Sequence, residues 1–98
     1  MDESSQTPRL VCADGHEIMV IGQLTIGRSP ECQVQLEDSG VSRRHAMIEV
    51  VNQRVMLSDL GSSNGTSLND QQITAPAELR DGDRLHISKN IIRTQGRR

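Results

Sequence analysis

The stretch that decides the fold reads HAMIEVV-NQ-RVMLS, residues 45–58. In its first half, Ala46, Ile48 and Val50 alternate with less apolar neighbours, and this period of two places one set of side chains on each face of a β-strand. Apolar residues alternate in the second half as well. Between the halves, Asn52-Gln53 is short and polar enough to reverse the chain. The stretch therefore predicts a central antiparallel hairpin with one buried face.

Further short strands are predicted along the rest of the chain, at spacings of about 8 to 12 residues. They occupy residues 9–13, 17–21, 24–27, 34–36, 66–68, 72–73, 83–87 and 90–94. Because no apolar pattern of helical period is long enough for a helix of three turns, we predict an all-β fold, a sandwich of two antiparallel sheets with about eleven strands. The domain is expected to span residues 9–94, between a disordered N-terminal tail, residues 1–8, and a C-terminal tail, residues 95–98.

The composition limits both the core and the partners. Phe, Tyr and Trp are absent from the 98 residues, so the core must be built from aliphatic side chains, Met, Ala and Cys. A formal net charge of -2 argues against nucleic acid as the main partner, since such binding needs broad positive charge. The chain has neither an apolar run of transmembrane length nor the pattern of a signal peptide, so a cytoplasmic protein without membrane insertion is expected. Cys12 and Cys32 are predicted to be reduced thiols.

One part of the sequence carries residue types that suit an anion. Arg28 follows the predicted strand 24–27 and offers a planar fork of donors that matches phosphate or carboxylate oxygens. Ser42 can donate a hydrogen bond from its hydroxyl, and Arg43 and Arg44 add positive charge beside it. The positive charge is therefore local, in a chain that is acidic overall.

A second polar connection, residues 59–65, supplies groups that suit a peptide main chain. Ser63 brings a hydroxyl and Asn64 a carboxamide, which can bond the C=O and N–H groups of an extended peptide. A phosphorylated side chain carries about -1.5 to -2 charge and three strong acceptor oxygens. If the fold brings the two connections together, they form a pocket for a phosphate on a peptide.

Other chemistries fit the sequence less well. Ser42, His45 and Asp59 include the residue types of a hydrolase triad, but Ser42 lacks a Gly-x-Ser-x-Gly elbow. Residues 61–65 lack the Gly-Lys-Ser/Thr of a nucleotide P-loop. The three histidines lack the spacing of metal ligands, so we expect no metal. Since the motifs above are also incomplete, we expect no cofactor and no enzymatic activity. His45 is predicted to be structural, with its ring nitrogens bonded to nearby backbone.

With these residues assembled, the chain resembles the forkhead-associated (FHA) domain, a family of phosphothreonine-binding modules. The likeness covers about residues 9–94 and is of the kind seen in bacterial members of the family. The matching motifs are Ile26-Gly27-Arg28, Val41-Ser42-Arg43-Arg44-His45-Ala46, Asp59-Leu60-Gly61-Ser62-Ser63-Asn64-Gly65-Thr66, Asn69 and Leu79-x-Asp81-Gly82-Asp83. The resemblance implies an eleven-stranded sandwich whose loops at one end bind the ligand without catalysis.

The resemblance also implies a role for each matched residue. Phosphate binding is implied for Arg28, Ser42 and Arg43, peptide binding for Ser63, Asn64 and Arg44, and support of the loops for Gly27, His45, Gly65 and Asn69. The implied partner is a protein that an upstream Ser/Thr kinase has phosphorylated on threonine. Threonine is favoured over serine because a pocket takes its methyl group, and the third residue after it is read.

The chain departs from the family pattern at a few positions. Gly40 stands where some members carry a basic residue, Asp70 and Ser88 replace frequent turn glycines, and Ser67 replaces an aromatic or β-branched residue.

Two functions stay open. One is phosphothreonine-dependent binding in kinase signalling or in regulation of a larger assembly, and the other is a phosphate-independent scaffold in a multiprotein machine such as a secretion system.

A separate prediction concerns the N-terminal tail. Thr7 is followed by Pro8, Arg9 and Leu10, so a phosphorylated Thr7 would present Leu10 at the third position after it. Such a segment could engage a neighbouring copy of the chain.

Overall fold

The computed structural model of the chain describes residues 8–95, and these form eleven β-strands and no helix. In chain order the strands are β1 (Arg9–Val11), β2 (Glu17–Met19), β3 (Gln23–Gly27), β4 (Val34–Gln35), β5 (Ala46–Val51), β6 (Arg54–Asp59), β7 (Ser67–Leu68), β8 (Gln71–Gln72), β9 (Ala77–Leu79), β10 (Arg84–Ile87) and β11 (Asn90–Gln95). The predicted all-β fold is confirmed. Strand β9 was missed because it is short, follows Pro76 and has one fully buried apolar residue, Leu79. Thr7 lies outside the described residues.

The strands form two sheets. One has six strands in the order β2-β1-β11-β10-β7-β8, and the other has five in the order β4-β3-β5-β6-β9. The pairings are antiparallel, as predicted, except that β4 runs parallel to β3. The prediction of wholly antiparallel sheets is wrong at this edge, because β4 pairs only with Ile26 and Gly27 at the end of β3, and residues 28–33 are enough to turn the chain back for so short an overlap.

The core lies between the sheets and is aliphatic. Its fully buried large side chains are Leu10, Ile26, Ile48, Leu57, Leu79, Leu85, Ile87 and Ile92. Burying each of these stabilises the fold by about 1.5 to 3 kcal/mol relative to an exposed side chain. The alternation predicted for residues 45–51 is found at Ala46 and Ile48, but Val50 is 37% exposed because β5 extends there to the edge of the sandwich.

The two ends of the sandwich differ. At the end that we call the turn end, the hairpins reverse at residues 52–53 and 69–70, where both residues of each pair have positive φ values. Consecutive positive φ values match the twist of the flanking strands. The opposite end, which we call the loop end, carries the longer connections 28–33, 36–45 and 60–66. Within residues 8–95, no helix could cross a membrane.

Candidate functional site

The loop end is assembled on Gly27, the last residue of β3. Gly27 is buried, and a β-carbon there would overlap the carbonyl oxygen of Arg43. Glycine therefore lets the loop 36–45 lie directly against the end of β3. The amide of Arg28 donates to the carbonyl of Ser42 at 3.0 Å, and the amide of Ser29 donates to the carbonyl of Arg43 at 3.1 Å. These bonds place the predicted phosphate-binding residues side by side.

The Arg28 side chain is held by one bond and is otherwise presented to solvent. Its Nε donates to the carbonyl of Val41 at 3.0 Å, and the residue is exposed. This contact leaves the two terminal amino groups of the guanidinium for a ligand. Because the guanidinium is planar, a bond at Nε also orients those groups.

His45 is fully buried at the centre of the loop end. Its Nδ1 accepts from the amide of Ser42 at 3.0 Å, so Nε2 carries the ring hydrogen and donates to the carbonyl of Gly65 at 2.8 Å. Its own amide donates to the carbonyl of Ile26. The side chain of His45 thus joins the loops 36–45 and 60–66, and its backbone amide joins them to the end of β3.

The loop 60–66 is folded around the carboxylate of Asp59. One oxygen accepts from the amides of Gly61 and Ser62, both at 2.8 Å, and the other accepts from the hydroxyls of Ser62 and Thr66 at 2.6 and 2.7 Å. Burial alone would raise the pKa of Asp59, but these hydrogen bonds outweigh it and hold the pKa below its usual range. The sequence analysis missed this role, which the spacing of Asp59 from the following amides could have suggested.

Two bonds fasten the loop 60–66 to the loop 36–45. The amide of Ser63 donates to the hydroxyl oxygen of Ser42 at 3.1 Å, and Nδ2 of Asn64 donates to the carbonyl of Gly40 at 2.7 Å. Since the Ser42 hydroxyl accepts here, it keeps its hydrogen for donation to a ligand. The Asn64 amide oxygen likewise stays available for a ligand N–H.

A second carboxylate, that of Asp38, stabilises the loop 36–45 from within. It accepts from the amide of Gly40 at 2.9 Å and from Nδ2 of Asn90 at 3.1 Å. The pKa of Asp38 is lowered, first by the bond from Gly40 and also by bonds from Ser88, Lys89 and Asn90. These contacts connect the loop to the turn between β10 and β11, a role that the sequence analysis also missed.

The two remaining arginines of the loop are exposed. The carbonyl of Arg43 accepts from the amide of Ser29 and from the thiol of Cys32 at 3.3 Å, so the main chain at Arg43 is anchored while its side chain reaches solvent. Burial raises the pKa of the Cys32 thiol, and the charge of Arg44 acts on that thiol in the opposite direction. Cys12 and Cys32 are both free thiols.

The structure brings most of the predicted site residues to the loop end, but not all of them. Asn69 lies at the turn end, where its Nδ2 donates to Asp83 at 3.0 Å and its Oδ1 accepts from the amide of Arg84 at 3.0 Å. Any effect of Asn69 on a ligand at the loop end is therefore indirect. Gly65, in contrast, lies in the loop 60–66 at the loop end and has a φ of 84°.

The geometry does not form a hydrolase triad. His45 receives a bond from the backbone of Ser42 rather than from its hydroxyl, and Asp59 bonds hydroxyls and amides rather than the imidazole. Among residues 8–95 there is also no cluster of three His, Cys, Asp or Glu side chains that could hold a metal ion. Arg28, Arg43 and Arg44 are the exposed positive charges of this site.

Comparisons with known proteins agree with this arrangement. The family model named FHA domain matches residues 24–88. FhaA, an FHA domain-containing protein of Mycobacterium tuberculosis, is 43% identical over 74 residues, which cover 74% of this chain and 14% of FhaA. The chain thus spans a small part of the length of that relative.

Solved structures are similar over nearly the whole chain. One, from a structural and functional analysis of phosphothreonine-dependent FHA domain interactions, is 34% identical with a TM-score of 0.85 and covers 91% of this chain and 95% of its own. Another, Mycobacterium tuberculosis EmbR in complex with a low-affinity phosphopeptide, is 27% identical with a TM-score of 0.87 and covers 93% of this chain and 24% of its own.

Proposed function

Because the chain belongs to the FHA domain family, we propose that it is a binding module, without catalysis, for proteins phosphorylated on threonine. The observation that carries the proposal is the placement of Arg28, whose Nε bonds the carbonyl of Val41 and whose amide bonds the carbonyl of Ser42, in a chain of net charge -2. The similar structures studied with phosphothreonine-dependent interactions and with a phosphopeptide support this ligand class.

The phosphate is bound by three residues of the loop end. The terminal amino groups of Arg28 donate to two phosphate oxygens, and the Ser42 hydroxyl donates to a third. Arg43 adds positive charge from the exposed side of the same loop. A phosphate of about -1.5 to -2 charge is thereby matched by charge and by donors, whereas an unphosphorylated threonine offers these groups nothing comparable.

The peptide main chain is bound by the loop 60–66. Asn64 accepts from a peptide N–H through its amide oxygen, while Ser63 and Arg44 make further contacts along the peptide. Gly27, His45 and Gly65 hold the loops in position, and Asn69 braces the turn end of β7 and β10. Because the protein's own hydrogen bonds hold the loops together, little loop ordering is needed on binding, and this favours affinity.

The setting that follows is regulation by protein phosphorylation. A Ser/Thr kinase in the cytoplasm would phosphorylate the partner and thereby create the ligand. A protein segment is preferred to free phosphate because the peptide-binding groups of the loop 60–66 lie beside the phosphate-binding groups.

The test begins with a degenerate peptide library that carries phosphothreonine at one position, screened on the immobilised chain. Calorimetry then compares the selected peptide with its phosphoserine and unphosphorylated counterparts. Loss of the phosphate should abolish measurable binding, and Arg28→Ala should weaken binding about 10- to 100-fold because hydrogen bonds to a charged group are lost. Phosphoserine should bind about fourfold more weakly, the value of one buried methyl group.

The matched control is Arg84→Ala, which removes an exposed arginine at the turn end and should leave the affinity unchanged. Circular dichroism establishes that each variant is folded. Equal affinity for the phosphorylated and unphosphorylated peptides, or an affinity that Arg28→Ala leaves unchanged, would reject the proposal in favour of the phosphate-independent scaffold.

A further inference from the structure

A groove of about 560 Å³ opens on one side of the sandwich, beside the loop end. One wall is formed by residues 33–37, which include strand β4. The opposite wall includes Asp14 and His16 from the β1–β2 connection and Ile18 from β2, and residues 90–92 complete the lining. None of the residues to which we assign phosphate or peptide contacts lines this groove.

The groove exists because the edge strands on this side are short. Strand β2 has three residues and β4 has two, so the sheets do not close over the core between them. The floor is consequently apolar. It contains the core residues Val34 and Ile92, together with Ile18 and Leu36, which are partly buried and pack against the core. Such a floor can bury further apolar side chains of a ligand.

The wall at β4 also presents backbone hydrogen-bonding groups. The amide of Leu36 donates to the carbonyl of Gly27 in β3 at 2.8 Å. Since successive residues of a strand direct their backbone groups to opposite sides, the amide and carbonyl of Gln35 point away from β3. No strand within residues 8–95 pairs with that side of β4. A free strand edge of this kind can accept one more strand.

The charge around the groove is opposite to that of Arg28 and Arg43, to which we assign phosphate contacts. Asp14 and Glu37 lie at the rim, both exposed, and the only counterpart in the lining is His16, 3.5 Å from Asp14. No Lys or Arg of the described residues lines the groove. A phosphate or an acidic segment is therefore disfavoured here, and a basic one is favoured.

We propose that this groove is a second binding site, which takes an extended basic segment of a partner protein as an added strand on the free edge of β4. Apolar side chains at alternate positions of the segment enter the floor, and basic side chains between them face Asp14 and Glu37. The alternation follows from the period of two in a strand. Binding at this groove requires no phosphate, so it can be tested independently of the phosphothreonine proposal.

The probe is a capped hexapeptide of alternating lysine and valine, added to the isotope-labelled chain and followed by NMR. The expected result is a saturable shift of the amides of residues 33–37, with a dissociation constant below about 1 mM. The same peptide with all of its backbone amides N-methylated lacks the donors for strand pairing in either strand direction and should bind about tenfold more weakly. An alternating glutamate and valine peptide should not bind.

The matched variants separate a site from general attraction to an acidic protein. Glu37→Arg reverses a charge at the rim and should weaken binding about three- to tenfold, whereas Glu31→Arg makes the same charge change outside the groove and should have a smaller effect. Arg28→Ala should leave the affinity for this peptide unchanged. Equal effects of the two glutamate variants, shifts confined to residues 38–45 and 60–66, or no saturable shift would each overturn the proposal.

Discussion

The loop end and the turn end of the sandwich are stabilised in different ways. At the loop end, polar side chains connect loops that are distant in the sequence, as in the bonds from His45 to Gly65 and from Asn64 to Gly40. At the turn end, the hairpins reverse within two residues of left-handed backbone, at 52–53 and 69–70. The loop end is therefore held by hydrogen bonds between loops that are distant in the sequence, whereas two-residue turns close the hairpins at the turn end.

The largest effect is expected for His45→Ala. This change removes both ring contacts and leaves the amide of Ser42 and the carbonyl of Gly65, both partly buried, without their partners. Each unpaired group costs about 1 to 3 kcal/mol, so the free energy of unfolding should fall by about 3 kcal/mol and phosphopeptide binding should be lost. Urea unfolding followed by circular dichroism measures the stability, since the chain has no aromatic residue to report by fluorescence.

The comparison variant is His86→Ala in β10. His86 is partly exposed, and its nearest acidic partner is Asp70 at 3.8 Å, so the expected loss is below about 1 kcal/mol. If the two histidine variants lost equal stability, a particular contribution of the His45 hydrogen bonds to the stability of the chain would be contradicted.

A smaller effect is expected for Asp59→Asn. The amide that replaces the carboxylate has one accepting oxygen, so either the two bonds from the Gly61 and Ser62 amides or the two bonds from the Ser62 and Thr66 hydroxyls lose their acceptor. With its partial exposure allowed for, the loss of stability at neutral pH should be about 1 to 2 kcal/mol.

This difference should depend on pH. The pKa of Asp59 in the folded chain lies below its ordinary value of 3.8, so its contribution is complete above about that pH and is lost as the pH falls through the folded pKa. Unfolding measured from pH 7 downward should therefore show the wild-type chain and Asp59→Asn converging in acid. A gap between the two chains that stays constant from pH 7 into acid would refute the assignment.

The smallest effects are expected at the turn end. Asp70→Gly relieves a side chain from a φ of 71° and loses exposed ion-pair contacts of little value, so stability should rise by about 0.5 kcal/mol. Asn69→Gly removes two side-chain bonds, to Asp83 and Arg84, and should cost about 1 kcal/mol. Both variants should keep phosphopeptide affinity within about twofold, because distant sites act independently. Altered affinity in calorimetry would show that the ends are coupled.

Much of the fold could be predicted from local pattern. Alternation at Ala46 and Ile48, with a polar turn after the strand, was enough for the central hairpin. Strand β9 could not be found this way, since three residues with one buried side chain carry little periodic signal. The parallel pairing of β4 was hidden for a related reason: alternation reports which face of a strand is buried, but not the direction of its neighbour.

The candidate site was predictable as a set of residue types and not as a geometry. Arg28, Ser42 and Asn64 were named from their chemistry, whereas the carboxylates of Asp38 and Asp59, which hold the loops, were not given that role. Asn69 was grouped with the loop residues but lies at the turn end. Motif order gives no distance between residues that meet only after the sheets have packed.

The sequence by itself determined most of the strands, the aliphatic core and the family, because these follow from the period of the side chains and from motifs of adjacent residues. The tertiary structure alone decided which donors remain for a ligand, as when the Ser63 amide uses the Ser42 hydroxyl oxygen and leaves its hydrogen. It also decided that the side at β2 and β4 stays open as an acidic groove. The physical reason is that such contacts join segments far apart in the chain, and their geometry exists only once the two sheets enclose a common core.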